Sequence, residues 1–222
     1  MISIICPFYN EEAILEKSVE LMLRNLDKLE AKWELIIVND GSTDGSLNIA
    51  KELENSHTNL KVCTYTFNKG RGFAIRAGIA HAQGKIVVTT EIDSSWGDYI
   101  VYRIVQAFKE HPDADMVIAS PHLPEGGYKN VPFKRVFLSK FGNRIIRTSL
   151  TNRLTMNTGM TRGYLRDKFL ALPLDEDGKE MHLEIVSKAL AFNYSIYEIP
   201  AKIEWKTDKL KTDEGKVRKS SS

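Results

Sequence analysis

The sequence predicts an α/β fold: a mainly parallel central sheet flanked by helices. The first half alternates short β-branched runs with stretches of helical periodicity, which is the pattern of βαβ units. The unusual polar residues of that half all follow the strand candidates. Right-handed crossovers bring strand carboxyl ends to one edge, and open α/β sheets bind ligands there. A chain of 222 residues, 42% hydrophobic and 27% charged, can bury one generous core or two small ones.

Strand candidates are residues 2–6, 34–38, 61–66, 86–90 and 116–119. Between the first two, Leu15, Val19, Met22, Leu26 and Leu29 recur at helical spacing. Asn10 is placed to cap this helix, and Glu11 and Glu12 suit its positive end. A second helix is expected after the Asp40-Gly41-Ser42-Thr43-Asp44-Gly45 turn and a third near Arg71. A fourth runs from about Gly97 to Glu110, where Pro112 stops it. After residue 120 the alternation is lost, and a Pro/Gly-rich loop at 121–127 opens a segment of different character. There, residues 133–150 and 180–192 read as helices, and 155–161 and 195–205 as extended. The end from Thr207 reads as a lysine-rich tail.

A formal net charge of +2 is too slight to imply nucleic acid as partner, so any basic function must come from local clustering. Cys6 and Cys63 both lie in apolar strand-like runs and read as small buried hydrophobes. Met1 leads straight into a strand without a basic n-region, so a cytosolic catalytic domain is expected. No apolar stretch approaches the roughly 20 residues of a membrane span.

No Gly-x-Gly-x-x-Gly follows the first strand and no Gly-Lys-Ser/Thr loop occurs, which argues against a dinucleotide oxidoreductase or a P-loop NTPase. Phosphates need another counter-charge. Glu91-Ile92-Asp93 offers one, because two carboxylates one residue apart at a strand end can turn toward the same cleft. Such hard oxygen ligands suit Mg²⁺ or Mn²⁺ bridging to substrate phosphates, where the ion acts as a Lewis acid. Alone, an acid-x-acid pair also fits a solvated loop; its place directly after residues 86–90 favours the metal.

Four motifs in order now become specific. Pro7-Phe8-Tyr9-Asn10-Glu11, Val38-Asn39-Asp40-Gly41-Ser42-Thr43-Asp44, Asn68-Lys69-Gly70-Arg71-Gly72 with Arg76, and Glu91-Ile92-Asp93 resemble the family 2 inverting glycosyltransferases. The likeness is greatest to dolichol-phosphate mannose synthases and related polyprenyl-phosphate glycosyltransferases. It continues through Gly126-Gly127, Pro132-Phe133-Lys134-Arg135, Asn157-Thr158-Gly159-Met160-Thr161-Arg162, Glu184 and Tyr197-Glu198-Ile199-Pro200.

The resemblance implies a GT-A, Rossmann-like fold with a nucleotide-sugar-binding half at 1–119 and an acceptor-binding half at 120–222 of one catalytic domain. Pro7, Tyr9, Glu11 and Asp40 would hold the base and ribose of a GDP- or UDP-sugar, with Arg71 beside them. Glu91 and Asp93 would carry Mg²⁺ or Mn²⁺, with Asp93 also catalytic. Arg135 would grip a phosphate. Lys216, Arg218 and Ser220 resemble a basic loop that closes over the diphosphate. The implied acceptor is a polyprenyl phosphate at the cytoplasmic face of a membrane, and relatives often continue into membrane helices beyond a domain like this one. A phosphate acceptor is already anionic, so no strong base is required; for a hydroxyl acceptor, Asp93, Asp98 or Glu184 would be the base. Glu184 reads otherwise as structural, paired with Arg162.

Departures from the family pattern leave several choices open. Glu91 stands where the metal motif usually begins with Asp, and Ser95 where a Gln often sits. Ser120-Pro121-His122 lacks the phosphate-binding Arg of the relatives. Alternative readings are a transferase acting on a soluble glycan or polysaccharide, and a nucleotide-sugar-binding scaffold without catalysis. Finally, Lys129, Lys134, Arg135, Lys140, Arg144, Arg147 and Arg153 lie among Phe133, Phe137, Phe141, Ile145 and Ile146. That pattern suits either an anionic membrane surface or a core-packing helix with a solvated basic face.

Overall fold

The computed structural model describes residues 1–149 and 153–205. The β-branched runs form β1 (Ile2–Phe8), β2 (Trp33–Asn39), β3 (Leu60–Thr64), β4 (Ile86–Thr89) and β5 (Met116–Ser120). Between them lie α1 (Leu15–Leu26), α2 (Ser46–Ser56), α3 (Arg71–His81) and α4 (Ile100–Glu110). The second half adds β6 (Gly127–Lys129), α5 (Phe133–Ser149), β7 (Arg162–Leu165), α6 (Arg166–Leu170), α7 (Met181–Ala191), β8 (Ile196–Pro200) and β9 (Lys202–Glu204). β1, β2, β4 and β5 are buried along almost their whole length, which is what continuous apolar runs imply for parallel strands covered by helices on both faces.

The strand order is β3-β2-β1-β4-β7-β5-β8. All neighbours pair parallel except β7, which runs antiparallel to both β4 and β5. β7 and β8 come from the second half yet complete the sheet that the first half begins, so one hydrophobic core runs beneath both. β6 and β9 form a separate two-stranded parallel ribbon. Among the described residues no helix is long and apolar enough to cross a membrane.

Several sequence expectations are corrected. Asn10 does not cap α1: it adopts a left-handed φ of 53°, and its side-chain oxygen accepts from the Thr43 amide at 2.8 Å. The helix starts instead at Leu15, after a turn in which the Ile14 and Leu15 amides donate to the Glu11 carbonyl. Residues 155–161 are not a strand. The carbonyl of Asn157 there is bonded by the buried Arg162 guanidinium and that of Met160 by the Thr89 hydroxyl, so pairing begins only at Arg162. Cys6 is buried as expected, but Cys63 is only half-buried on the edge strand β3. The tail from Thr207 lies outside the described residues.

Candidate active site

The parallel register brings the ends of β1, β2 and β4 to one edge of the sheet: Phe8 lies opposite Asn39, and Ile5 opposite Thr89. Two of the strand-end loops lock together there. The Asn10 amide donates to Ser42 Oγ at 3.0 Å, and the Glu12 carboxylate accepts from the Gly45 amide at 2.9 Å. The Glu11 amide donates to Ser46 Oγ at 2.9 Å. Pro7 is half-buried within β1, whereas Tyr9 stands exposed just beyond it.

Asp40 is buried and organises a third loop. Its Oδ1 accepts from the Tyr65 hydroxyl and the Lys69 amide, both at 2.8 Å, and the Gly70 amide reaches Oδ2 at 3.1 Å. Burial, with the Asp40 carboxylate next, pushes the Tyr65 phenol far above its ordinary range, so it remains a donor. Gly41 between these loops has φ +67°, and a Cβ there would stand 2.4 Å from the backbone of Phe67 and Asn68. Only glycine permits that approach.

The acidic pair occupies the loop after β4. Glu91 Oε2 accepts from Ser95 Oγ at 2.8 Å and from the Trp96 indole at 3.2 Å, while Oε1 faces Arg71 at 3.8 Å. Asp93 is buried, and its Oδ1 accepts from the Ser95 amide at 2.9 Å. Ser95 thus ties both carboxylates in place. Among the described residues no three His, Cys, Asp or Glu side chains gather at one point. As hard oxygen donors held on one loop, Glu91 and Asp93 are the residues that would hold a Mg²⁺ or Mn²⁺ ion, which would complete its shell from water and a diphosphate and not from an all-protein cage; the Arg71 guanidinium would face the diphosphate and not the ion.

Arg135 reaches this loop through two contacts. Its guanidinium lies over the Trp205 ring, 4.2 Å from the centroid, and the Glu204 amide donates to the Ser95 carbonyl at 2.8 Å. Sequence reasoning gave Trp205 no role, since nothing local marks an aromatic after a strand as an arginine platform. Beside this ribbon an open cavity of about 970 Å³ is lined by residues including His122, Tyr128, Val136, Lys140, Asn143 and Arg144. Tyr128 and Asn143 were not singled out from sequence. His122 holds no standing charge near neutral pH: burial first, and Lys140 second, depress its imidazole below the ordinary range.

Glu184 does not pair with Arg162. It accepts from the Asp175 and Glu176 amides at 2.9 and 3.0 Å and from Lys188 at 2.7 Å. Arg162, fully buried, donates instead to the carbonyls of His182 and Asn157. Lys216, Arg218 and Ser220 lie outside the described residues.

A dolichyl-phosphate beta-glucosyltransferase of Trichomonas vaginalis is 34% identical over 99 residues, 42% of this chain and 30% of that protein. An uncharacterized glycosyltransferase of Bacillus subtilis, YkcC, is 31% identical over 108 residues, 49% of this chain and 33% of that protein. The chain spans about a third of the length of these relatives. Among solved structures, glucosyl-3-phosphoglycerate synthase from Mycobacterium tuberculosis with Mn²⁺, UDP and phosphoglyceric acid superposes with a TM-score of 0.69 at 18% identity, over 95% of this chain and 73% of that one. A mannosyltransferase from Pyrobaculum calidifontis with GDP-Man and Mn²⁺ gives 0.63 at 20% identity, over 92% of this chain and 56% of that one. These likenesses establish the GT-A fold. The family model described as glycosyl transferase family 2 matches residues 3–172, and on that match, the sheet and its carboxylate edge, the chain belongs to this family.

Proposed function

We propose that the chain is an inverting glycosyltransferase that moves a sugar from a GDP- or UDP-sugar to a polyprenyl phosphate, with Mg²⁺ or Mn²⁺ held by Glu91 and Asp93. The observation that carries this is the pair of carboxylates fixed by Ser95 at the sheet edge and joined through Glu204 and Trp205 to Arg135. One loop thereby serves a donor side and an acceptor side.

On the donor side, Asp40 Oδ2 accepts one protein amide and retains capacity for a base N–H. Tyr9, Pro7 and the Glu11 turn border the same edge, and Arg71 supplies positive charge beside Glu91. The bound cation would neutralise charge on the departing nucleoside diphosphate. On the acceptor side, Arg135, Lys140 and Arg144 suit a phosphate monoester, whose oxygen is anionic near neutral pH and attacks the anomeric carbon opposite the leaving group. No general base is then needed. Glu184, already engaged by two amides and a lysine, is a poor candidate for one. Lys216, Arg218 and Ser220 would close over the diphosphate.

The test is a transfer assay with UDP-, GDP- and dTDP-sugars, Mg²⁺ or Mn²⁺, and a polyprenyl phosphate. The expected product is a glycosyl phosphate of inverted anomeric configuration, formed only with divalent cation. Donor binding without turnover over a panel of acceptors would overturn the reading in favour of a scaffold. A soluble phosphorylated acceptor is the second reading, favoured by the Mycobacterium tuberculosis synthase solved with phosphoglyceric acid. Turnover with that acid and not with the lipid would select it.

A further inference from the structure

The segment from Gly126 to Arg166 holds nine of the chain's 31 Lys and Arg and none of its 29 Asp and Glu. The remainder therefore carries a net −7 against a total of +2, so positive charge is concentrated in one stretch. α5 lies within it. Phe133, Phe137, Phe141 and Ile145 succeed one another at i, i+4 and are 80, 55, 54 and 50% exposed, with Leu138 beside them at 65%. The rings stack along the helix, with centroids 6.4 and 6.0 Å apart, and form a continuous apolar ridge. Lys134, Lys140 and Arg144 on the same helix are exposed. The core-packing alternative is therefore excluded for this face. A contiguous outward apolar face marks an interaction surface.

Charge decides the occupant. A second copy would bring two all-basic faces together, and like charges in apposition oppose that contact. Residues 206–222 contain six Lys and Arg against three acids, with Leu210 and Val217 as their only large apolar side chains, so they match neither the sign nor the apolarity needed. An anionic surface with an apolar interior matches both. We infer that α5 docks on an anionic lipid bilayer, with its phenylalanine ridge in the headgroup–acyl boundary and its cations at the phosphates. This deepens the acceptor reading, since Phe133 heads the ridge and also lines the cavity containing Lys140 and Arg144. A bilayer on the ridge places lipid phosphates beside that cavity.

The test is cosedimentation of the chain with phosphatidylcholine vesicles and with vesicles that also contain phosphatidylserine, without nucleotide or acceptor. Binding at least roughly tenfold tighter to the anionic vesicles is expected, weakening with salt. Phe137→Ser/Phe141→Ser should lower it about tenfold or more with an unchanged melting temperature, and Lys134→Ala about fivefold. No preference for anionic vesicles, equal binding by the double variant, a solution dimer that shields the ridge, or binding of an acidic peptide but not of vesicles would each overturn the inference. Transfer assays separate the two readings. The double variant should retain transfer to a short water-soluble prenyl phosphate and lose transfer to a long-chain one in vesicles. Vesicle binding with transfer to neither acceptor sinks the acceptor reading and leaves the docking intact.

Discussion

His182 illustrates how a single side chain beneath the site ties stability to pH. It is buried at the start of α7, and its carbonyl accepts from Arg162, whose guanidinium also bonds the Asn157 carbonyl. Both His182 ring nitrogens, Arg162 Nε and the Asn157 side-chain amide are buried without hydrogen-bond partners among the described residues, an arrangement that penalises any added charge. Burial first, then Arg162 and Arg71, depress the imidazole to about 2. An unfolded histidine takes its proton near the ordinary 6.5, so between those values the unfolded state binds more protons and stability falls as pH drops. The wild type should lose up to about 1.4 kcal/mol per pH unit below 6.5 through this residue. Urea unfolding at pH 7, 6 and 5 should show a shallower slope for His182→Gln, and parallel slopes would remove His182 as the cause. None of this was legible in sequence, because a histidine in a helical pattern does not reveal that two cations and a closed core surround it. Asp40 was legible as a strand-end carboxylate. Its partners were not, since Tyr65, Lys69 and Gly70 reach it from another loop.

Whole elements were read from sequence where local and tertiary demands coincide. The runs forming β1, β2, β4 and β5 are β-branched because both sheet faces are covered, and Pro112 follows α4 closely enough to mark its end. They were misread where a neighbour takes a group that local pattern assigns elsewhere, as the Asp40–Gly45 turn takes the Asn10 side chain. β7 escaped notice because it is four residues long, begins with a buried arginine and gains its strand character from antiparallel partners on both sides. A tertiary contact of the same kind caps α3. The Gly72 and Phe73 amides donate to the Asp177 carbonyl at 2.7 and 3.1 Å, and Arg76 bonds the Glu176 carbonyl and the Asp177 carboxylate. The backbone at 176–178 thus satisfies amides that a helix N-terminus leaves open. A Cβ on Gly72 would lie 2.7 Å from the carbonyl oxygens of both Glu176 and Gly178, with backbone on both sides and little room to yield. Gly72→Ala should therefore destabilise the fold by about 1–3 kcal/mol. Amide exchange at Gly72 and Phe73 should quicken in the same variant. Unchanged exchange would show that the loop at 176–178 does not hold the helix start.

At the scale of the whole molecule, the shared sheet makes the site and the fold one cooperative system. β7 lies between β4, which leads into Glu91 and Asp93, and β5, which leads into the loop carrying His122. β4 and β5 pair in this sheet only through β7, so the sheet is continuous only while both halves are folded. Donor binding at the sheet edge should therefore stabilise the entire chain by mass action, about 2.7 kcal/mol at a free ligand concentration 100 times Kd. For a chain of this size that corresponds to roughly 5–10 °C in Tm. The expected melt is one transition that moves as a whole when a matching nucleotide-sugar and Mn²⁺ are added. Asp93→Ala should keep the single transition and lose the Mn²⁺-dependent part of the shift, since its carboxylate stands in the loop proposed to carry the ion. Two separated transitions, of which only one responds to nucleotide, would contradict the shared sheet as a cooperative unit. A metal-dependent shift that survives in Asp93→Ala would take that carboxylate out of the donor site while leaving the fold argument standing.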